Sequence, residues 1–218
     1  MTIAAPINTL FRQQRPVFWL LVLALVLMLP SLWAGLFADD FSHALLLQGE
    51  NRISQPQNLS LWQLFTFVNG DAVRNAELMQ YSLVPWWLKP DFTMVFWRPL
   101  AEISHALDYA IWPQSPWLMH AHSLLWFLAF LAMVQCALRP MLPKSVFLWA
   151  LLLLAVDASH GFTVAWLANR NALMAGFFAF AALAFYQKLL QRPSFLYLVL
   201  LNASVALAFA SAEMGVAA

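Results

Sequence analysis

The sequence predicts an all-α, polytopic membrane fold: about five transmembrane helices, with one large outer loop of amphipathic interfacial helices after the first. Three observations carry this. Hydrophobic residues make up 63% of the 218-residue chain and charged residues 10%, with a mean hydropathy of +0.71. Uncharged runs recur along the chain, and runs of roughly 20 apolar residues match the hydrocarbon thickness of a bilayer. The short connections on one side also carry basic residues and no acidic ones, as the orientation rule for membrane helices requires.

The first uncharged run covers residues 17–38, directly after Arg12 and Arg15. It is too long for a secretory h-region and no small-x-small site follows it cleanly, so it reads as an uncleaved anchor. Pro30 is expected to kink this helix without abolishing it. Further uncharged runs predict spans over 117–138, 145–160, 171–190 and 193–212. The third is short, and completes a crossing only if Asp157 lies at the membrane surface or the helix is tilted or extended.

Five crossings put Arg12 with Arg15, Arg139 with Lys144, and Lys188 with Arg192 on one side, which is then cytoplasmic. No acidic residue shares that side. All ten acids, namely Asp39, Asp40, Glu50, Asp71, Glu77, Asp91, Glu102, Asp108, Asp157 and Glu213, fall outside or at the outer boundary.

Residues 39–116 form the outer loop. Trp62, Phe65, Trp86, Trp87, Trp97 and Trp112 make it too aromatic for a solvated loop and suit a position along the interface. After Pro99, a favourable first-turn residue, Leu100, Ile103, Leu107 and Ile111 recur at helical spacing. A helix of about three turns is expected there, with Glu102, His105 and Asp108 projecting away from the apolar stripe.

Several classes are excluded. The single cysteine, Cys136, falls within a predicted span, so no intrachain disulfide forms. There is no Gly-rich phosphate loop, metal motif or nucleophile elbow. A net charge of +1 argues against nucleic acid as a partner.

Ionisable groups near membrane depth are costly and mark function or pairing. Here they are Asp39 and Asp40 after the first span, Asp157 and His160 after the third, Arg170 before the fourth, and Glu213 after the fifth. The topology brings them to one face. A carboxylate there can take a proton from a hydroxyl, and Arg170 or Arg98 can stabilise a departing phosphate. Plainer readings stand beside these. Adjacent aspartates also simply end a helix at the interface, Arg170 also reads as a snorkelling anchor, and His120 and His122 read as packed or hydrogen-bonded helix residues.

Four stretches carry a family resemblance: FADDF after the first span, WRPLAEISHALDYAIWP followed by WLMHAHSLLWF, HGFTVAWLANRNALMAGFFAFAALAFY, and SAEMGVAA. In order and spacing they resemble C-type (GT-C fold) membrane glycosyltransferases, the transmembrane and tetratricopeptide-repeat O-mannosyltransferases and their bacterial relatives. The resemblance implies inverting transfer of a sugar from a polyprenyl-phosphate donor to a protein, lipid or glycan acceptor on the non-cytoplasmic face. In it Asp39 and Asp40 match the first acidic motif, which acts on the acceptor. Successive helical side chains diverge by about 100°, so one of the two faces that acceptor. Arg170 matches the family arginine, with Arg98 and His160 also on the donor side. Glu213 matches the glutamate of the SKE motif, in which Ala212 replaces the usual lysine.

Family members continue with several more spans, so the chain reads as the N-terminal part of one such domain, with inactivity alone among the expectations. The paired carboxylates suit both metal-assisted and metal-free transfer. The expected location is a bacterial inner membrane, with the N-terminus cytoplasmic and the active face periplasmic. The competing functions are a non-catalytic membrane scaffold and a transporter or flippase of lipid-linked intermediates.

Overall fold

The structure, a computed structural model, describes residues 7–48 and 61–217; Glu50 lies outside them. Its elements in chain order are α1 (Ile7–Met28), α2 (Asp39–Gln48), β1 (Thr66–Asn69), α3 (Ala72–Gln80), β2 (Thr93–Val95), α4 (Pro99–Ile111), α5 (Pro116–Leu138), α6 (Lys144–Val156), α7 (Ser159–Ala165), α8 (Arg170–Gln191) and α9 (Phe195–Ser211), joined in part by 3-10 turns.

Three helical stretches are long and apolar enough to cross a membrane: Arg15–Trp33, Pro116–Leu138 and Leu167–Gln191. Counting α6 and α7 as one broken span gives four. The third predicted span is not a tilted continuous helix. It breaks at Asp157 and Ala158 and bends by 52°, and in the turn between the two helices the Asp157 side chain takes the Ser159 backbone N–H at 2.9 Å. With 17 residues, α9 is an apolar helix at the lower limit of the length that crosses a bilayer. Pro30 does more than kink the first span: α1 ends at Met28, and Leu29–Trp33 continues as a 3-10 turn with Pro30 in its first positions.

The apolar core forms where α5 meets its neighbours. Phe127, Leu131 and Val134 of α5 pack with Ala24 of α1, Ala155 of α6, Val164 of α7 and Leu173 of α8. Arg170 at the start of α8 reaches Met119 and Ser123 near the start of α5, while Gln187 near its end donates to the Ala137 carbonyl at 3.0 Å. Helices α5 and α8 therefore run parallel, and α9 returns against α8 after a short turn. Gly176 permits this closeness, since a Cβ there would meet the Phe130 ring at 2.9 Å.

The loop between α1 and α5 is not wholly helical, as the sequence reading had it. Strands β1 and β2 pair antiparallel, Val68 opposite Met94 and Asn69 opposite Thr93. Gly70, at φ +82°, turns the chain out of β1. Asp71 then caps α3 by accepting from the Val73 and Arg74 amides. The Asn75 amide donates to the Pro90 and Phe92 carbonyls at 2.7 and 3.1 Å, which fixes the approach to β2.

Helix α4 occupies its predicted place and packs polar face inward. Glu102, His105 and Asp108 are at most 2% exposed, whereas Ile103, Leu107 and Ile111 are 42%, 50% and 62% exposed. The inward face meets the Arg170 guanidinium through Ser104 and Asp108, and between these polar contacts Ala101 and Tyr109 pack against Phe65, Met119 and Leu167.

Candidate functional site

Helix α2 opens on Asp39 and Asp40, which its N-terminal dipole favours. The preceding Ala38 sits at φ +47°, a conformation that costs a non-glycine residue on the order of 1 kcal/mol. The two aspartates then diverge. Asp40 is buried: its Oδ1 accepts the Ala168 backbone N–H at 2.7 Å, and its Oδ2 accepts those of Leu167 at 3.2 Å and Phe37 at 3.1 Å. Burial raises its pKa, opposed by these amides and by the nearby His120. Asp40 thus stitches the start of α2 to the 3-10 turn that leads into α8.

Asp39 instead lines a cavity of about 280 Å³. Phe65 and Phe67 from β1 and its approach, Phe96, Arg98, Trp166 and Asn169 complete most of its wall. Partial burial raises the Asp39 pKa, and the charge of Arg98 lowers it in part. The Arg98 guanidinium lies 4.9 Å from the Phe65 ring centroid and 4.5 Å from that of Phe96, a cation on aromatic faces. Glu213, just past α9, receives its Nε and Nη2 donors at 2.7 to 3.1 Å. The Glu213 pKa is lowered on balance: desolvation pushes it up, and the Arg98 hydrogen bonds and charge outweigh that.

Arg170 is placed differently. It is fully buried and does not line the cavity. Nε donates to Ser123 Oγ at 2.9 Å, Nη1 to Ser104 Oγ at 2.9 Å, and Nη2 to the Met119 carbonyl at 2.8 Å. Asp108 Oδ2 lies 2.5 Å from Nη1. The other Asp108 oxygen is 2.7 Å from His122 Nδ1, and the Trp126 indole N–H reaches His122 Nε2 at 3.1 Å. His122 Nδ1 also lies 3.2 Å from Arg170 Nη1, so its ring joins Asp108, Arg170 and Trp126 in one network. His120 contacts the Gly35 carbonyl through Nε2 at 2.7 Å, so both histidines are hydrogen-bonded helix residues.

Behind the cavity wall lies a second polar group. His43 of α2 is fully buried with its ring 4.9 Å from Phe65 and 5.3 Å from His105, and the Leu64 backbone is the polar group beside it, without a well-aligned hydrogen bond. Burial drives its pKa down to about 3. Glu102 is also buried without a full hydrogen bond; burial raises its pKa to about 7, against the pull of the Phe65 and Leu64 amides.

The structure therefore brings Asp39, Arg98 and Glu213 together at one site, holds Asp40 and Arg170 in the frame beside it, and leaves His160 outside. His160 packs its ring 5.1 Å from Phe127 and 6.0 Å from Phe130. Sequence reasoning missed the roles of Ser104, Asp108 and Ser123. The signal was present, since Ser104 and Asp108 sit four apart on one helical face and Ser123 follows on the next helix. Among the described residues, no three His, Cys, Asp or Glu side chains are placed to hold a metal ion. Comparison with protein-family models, curated proteins and solved structures finds no match to this chain.

Proposed function

We propose that the protein is a membrane glycosyltransferase that moves a sugar from a polyprenyl-phosphate donor to an acceptor hydroxyl, with inversion, on the non-cytoplasmic face. The observation that carries this reading is the cavity that Asp39 and Arg98 share. A carboxylate with a raised pKa is a better proton acceptor than an exposed one, and a guanidinium beside it suits a phosphate leaving group. The aromatic walls fit the apolar faces of a sugar ring.

In this reading the acceptor oxygen attacks the anomeric carbon while Asp39 takes the hydroxyl proton. The bond from that carbon to the phosphate oxygen breaks, and the lipid phosphate leaves with the electron pair beside Arg98. Asp40 and Arg170 act by position only. Glu213 orients Arg98. The topology belongs to the same proposal: the α6–α7 pair completes one crossing, α9 with the turn after it makes a fifth, and the N-terminus is cytoplasmic in a bacterial inner membrane.

The test is sugar transfer from a polyprenyl-phosphate donor in membranes carrying the full-length protein and its Asp39→Asn variant, with insertion checked for both. A loss of about 100-fold or more supports the reading. Undiminished transfer removes Asp39 from the chemistry, and movement of the lipid-linked sugar without bond formation favours a transporter instead.

A further inference from the structure

The end of the bundle opposite Asp39 holds a second cavity, of about 170 Å³, lined by Val17, Arg139, Leu142, Lys144, Phe147 and Leu148. Its floor is apolar and well packed: Val17, Phe147 and Leu151 are at most 4% exposed. Its rim is cationic. Arg139 closes α5 and Lys144 begins α6, so the tight turn between these helices sets both charges on one opening. Among the described residues neither takes part in an ion pair. Arg15, exposed and two residues before Val17, adds a third positive charge nearby in α1.

Two unneutralised cations over an apolar cleft, one at the end of a helix long and apolar enough to cross a membrane and one at the start of the bent α6–α7 pair that is so only together, match an amphiphile with an anionic head. The spacing of charge and grease is what a phospholipid presents: phosphate at the headgroup level, acyl chain below it. Basic pockets between membrane helices bind anionic lipid headgroups on this ground.

We propose that this cleft is a binding site for an anionic phospholipid, with Arg139 and Lys144 on the headgroup phosphate and Val17, Leu142, Phe147 and Leu148 against the first part of an acyl chain. The site rests on the membrane reading of the helices and is independent of the chemistry assigned to Asp39. Its occupant is part of the bilayer rather than a substrate.

The experiment uses the full chain purified in detergent and presented with equal amounts of phosphatidylglycerol and phosphatidylcholine, the retained lipid being read by native mass spectrometry. The expected result is retention of phosphatidylglycerol over phosphatidylcholine by about tenfold, and loss of that preference in Lys144→Glu, a substitution at an exposed position that leaves the core untouched. The Arg139→Gln variant reads the same loss separately. Equal retention of the two lipids by the unaltered chain overturns the proposal, as does a preference that survives both substitutions. Inorganic phosphate in millimolar excess is expected to leave the bound lipid in place; displacement by it marks a soluble-anion site and also overturns the proposal.

Discussion

Two arginines stand near the same end of the bundle, each with a carboxylate partner, and they do different work. Arg170 is fully enclosed, and two hydroxyls, a carbonyl and Asp108 take up its donors. Arg98 rests on two aromatic rings at a cavity wall, with its side chain 17% exposed and its partner Glu213 48% exposed. A cation with each of its three nitrogens engaged inside the protein holds α4, α5 and α8 together. A cation that faces open space can meet a ligand. The same contrast separates Asp40, bound to three backbone amides, from Asp39 in the cavity.

The largest effect expected from this contrast is on stability. Arg170→Ala leaves the buried Asp108 carboxylate without its counter-charge, and loss of one partner of a buried pair costs about 3 to 5 kcal/mol. Thermal unfolding in detergent, followed by tryptophan fluorescence, should show a large fall or no folded protein. Lysine is not expected to rescue it, because a point charge cannot reach two serines, a carbonyl and a carboxylate together. Arg98→Ala should unfold near the parent temperature while lowering transfer by about 100-fold, as expected for the loss of a charge-stabilising donor. If Arg98→Ala unfolds as badly as Arg170→Ala, the distinction between frame and site fails.

Asp40→Asn comes next. Its amide replaces an acceptor facing three N–H donors, so a stability loss of roughly 2 kcal/mol is expected, with transfer falling only as far as the fold does. The smallest effect is a pH dependence at Glu102. Its folded pKa of about 7 exceeds its ordinary 4.5, so the folded state keeps a proton that the unfolded chain releases between those values. Stability contributed by this group therefore falls as pH rises through that window. Glu102→Gln should remove the slope and leave the protein more stable than the parent at pH 8. An unchanged pH profile would show that Glu102 is ionised in the folded state at neutral pH.

Much of this was legible in the amino-acid sequence because membrane helices carry continuous apolar runs. The α5 boundaries follow residues 117–138 almost residue for residue, and Pro99 marks the start of α4. The break at Asp157 was harder to see, since an aspartate in a turn between two helices and one that ends a span look alike in a string of letters. The two-stranded sheet was missed because its strands are three and four residues long and lie far apart in the chain. Their aromatic residues read as interface anchors, and pairing is a long-range fact.

The site was half legible. Chain topology led to the expectation that the scarce ionisable groups lie at one end, and the divergence of neighbouring helical side chains to the expectation that Asp39 and Asp40 differ in surroundings, as their cavity-lining and amide-bound positions do. Which of the two is tied into the frame depended on the amides of Leu167 and Ala168, brought in from more than a hundred residues away. The same dependence hid the role of Arg170, whose partners come from α4 and α5. Arg98 stood out less in the sequence, yet it is the arginine that reaches the cavity.

The most direct test compares Asp39→Asn with Asp40→Asn in the full-length protein, measuring melting temperature and sugar transfer on the same preparations. The account predicts that Asp39→Asn keeps its melting temperature within about 2 °C and loses transfer by about 100-fold, while Asp40→Asn melts several degrees lower and keeps transfer in proportion to its folded fraction. The reverse pattern, a stable but inactive Asp40→Asn beside a fully active Asp39→Asn, would contradict it.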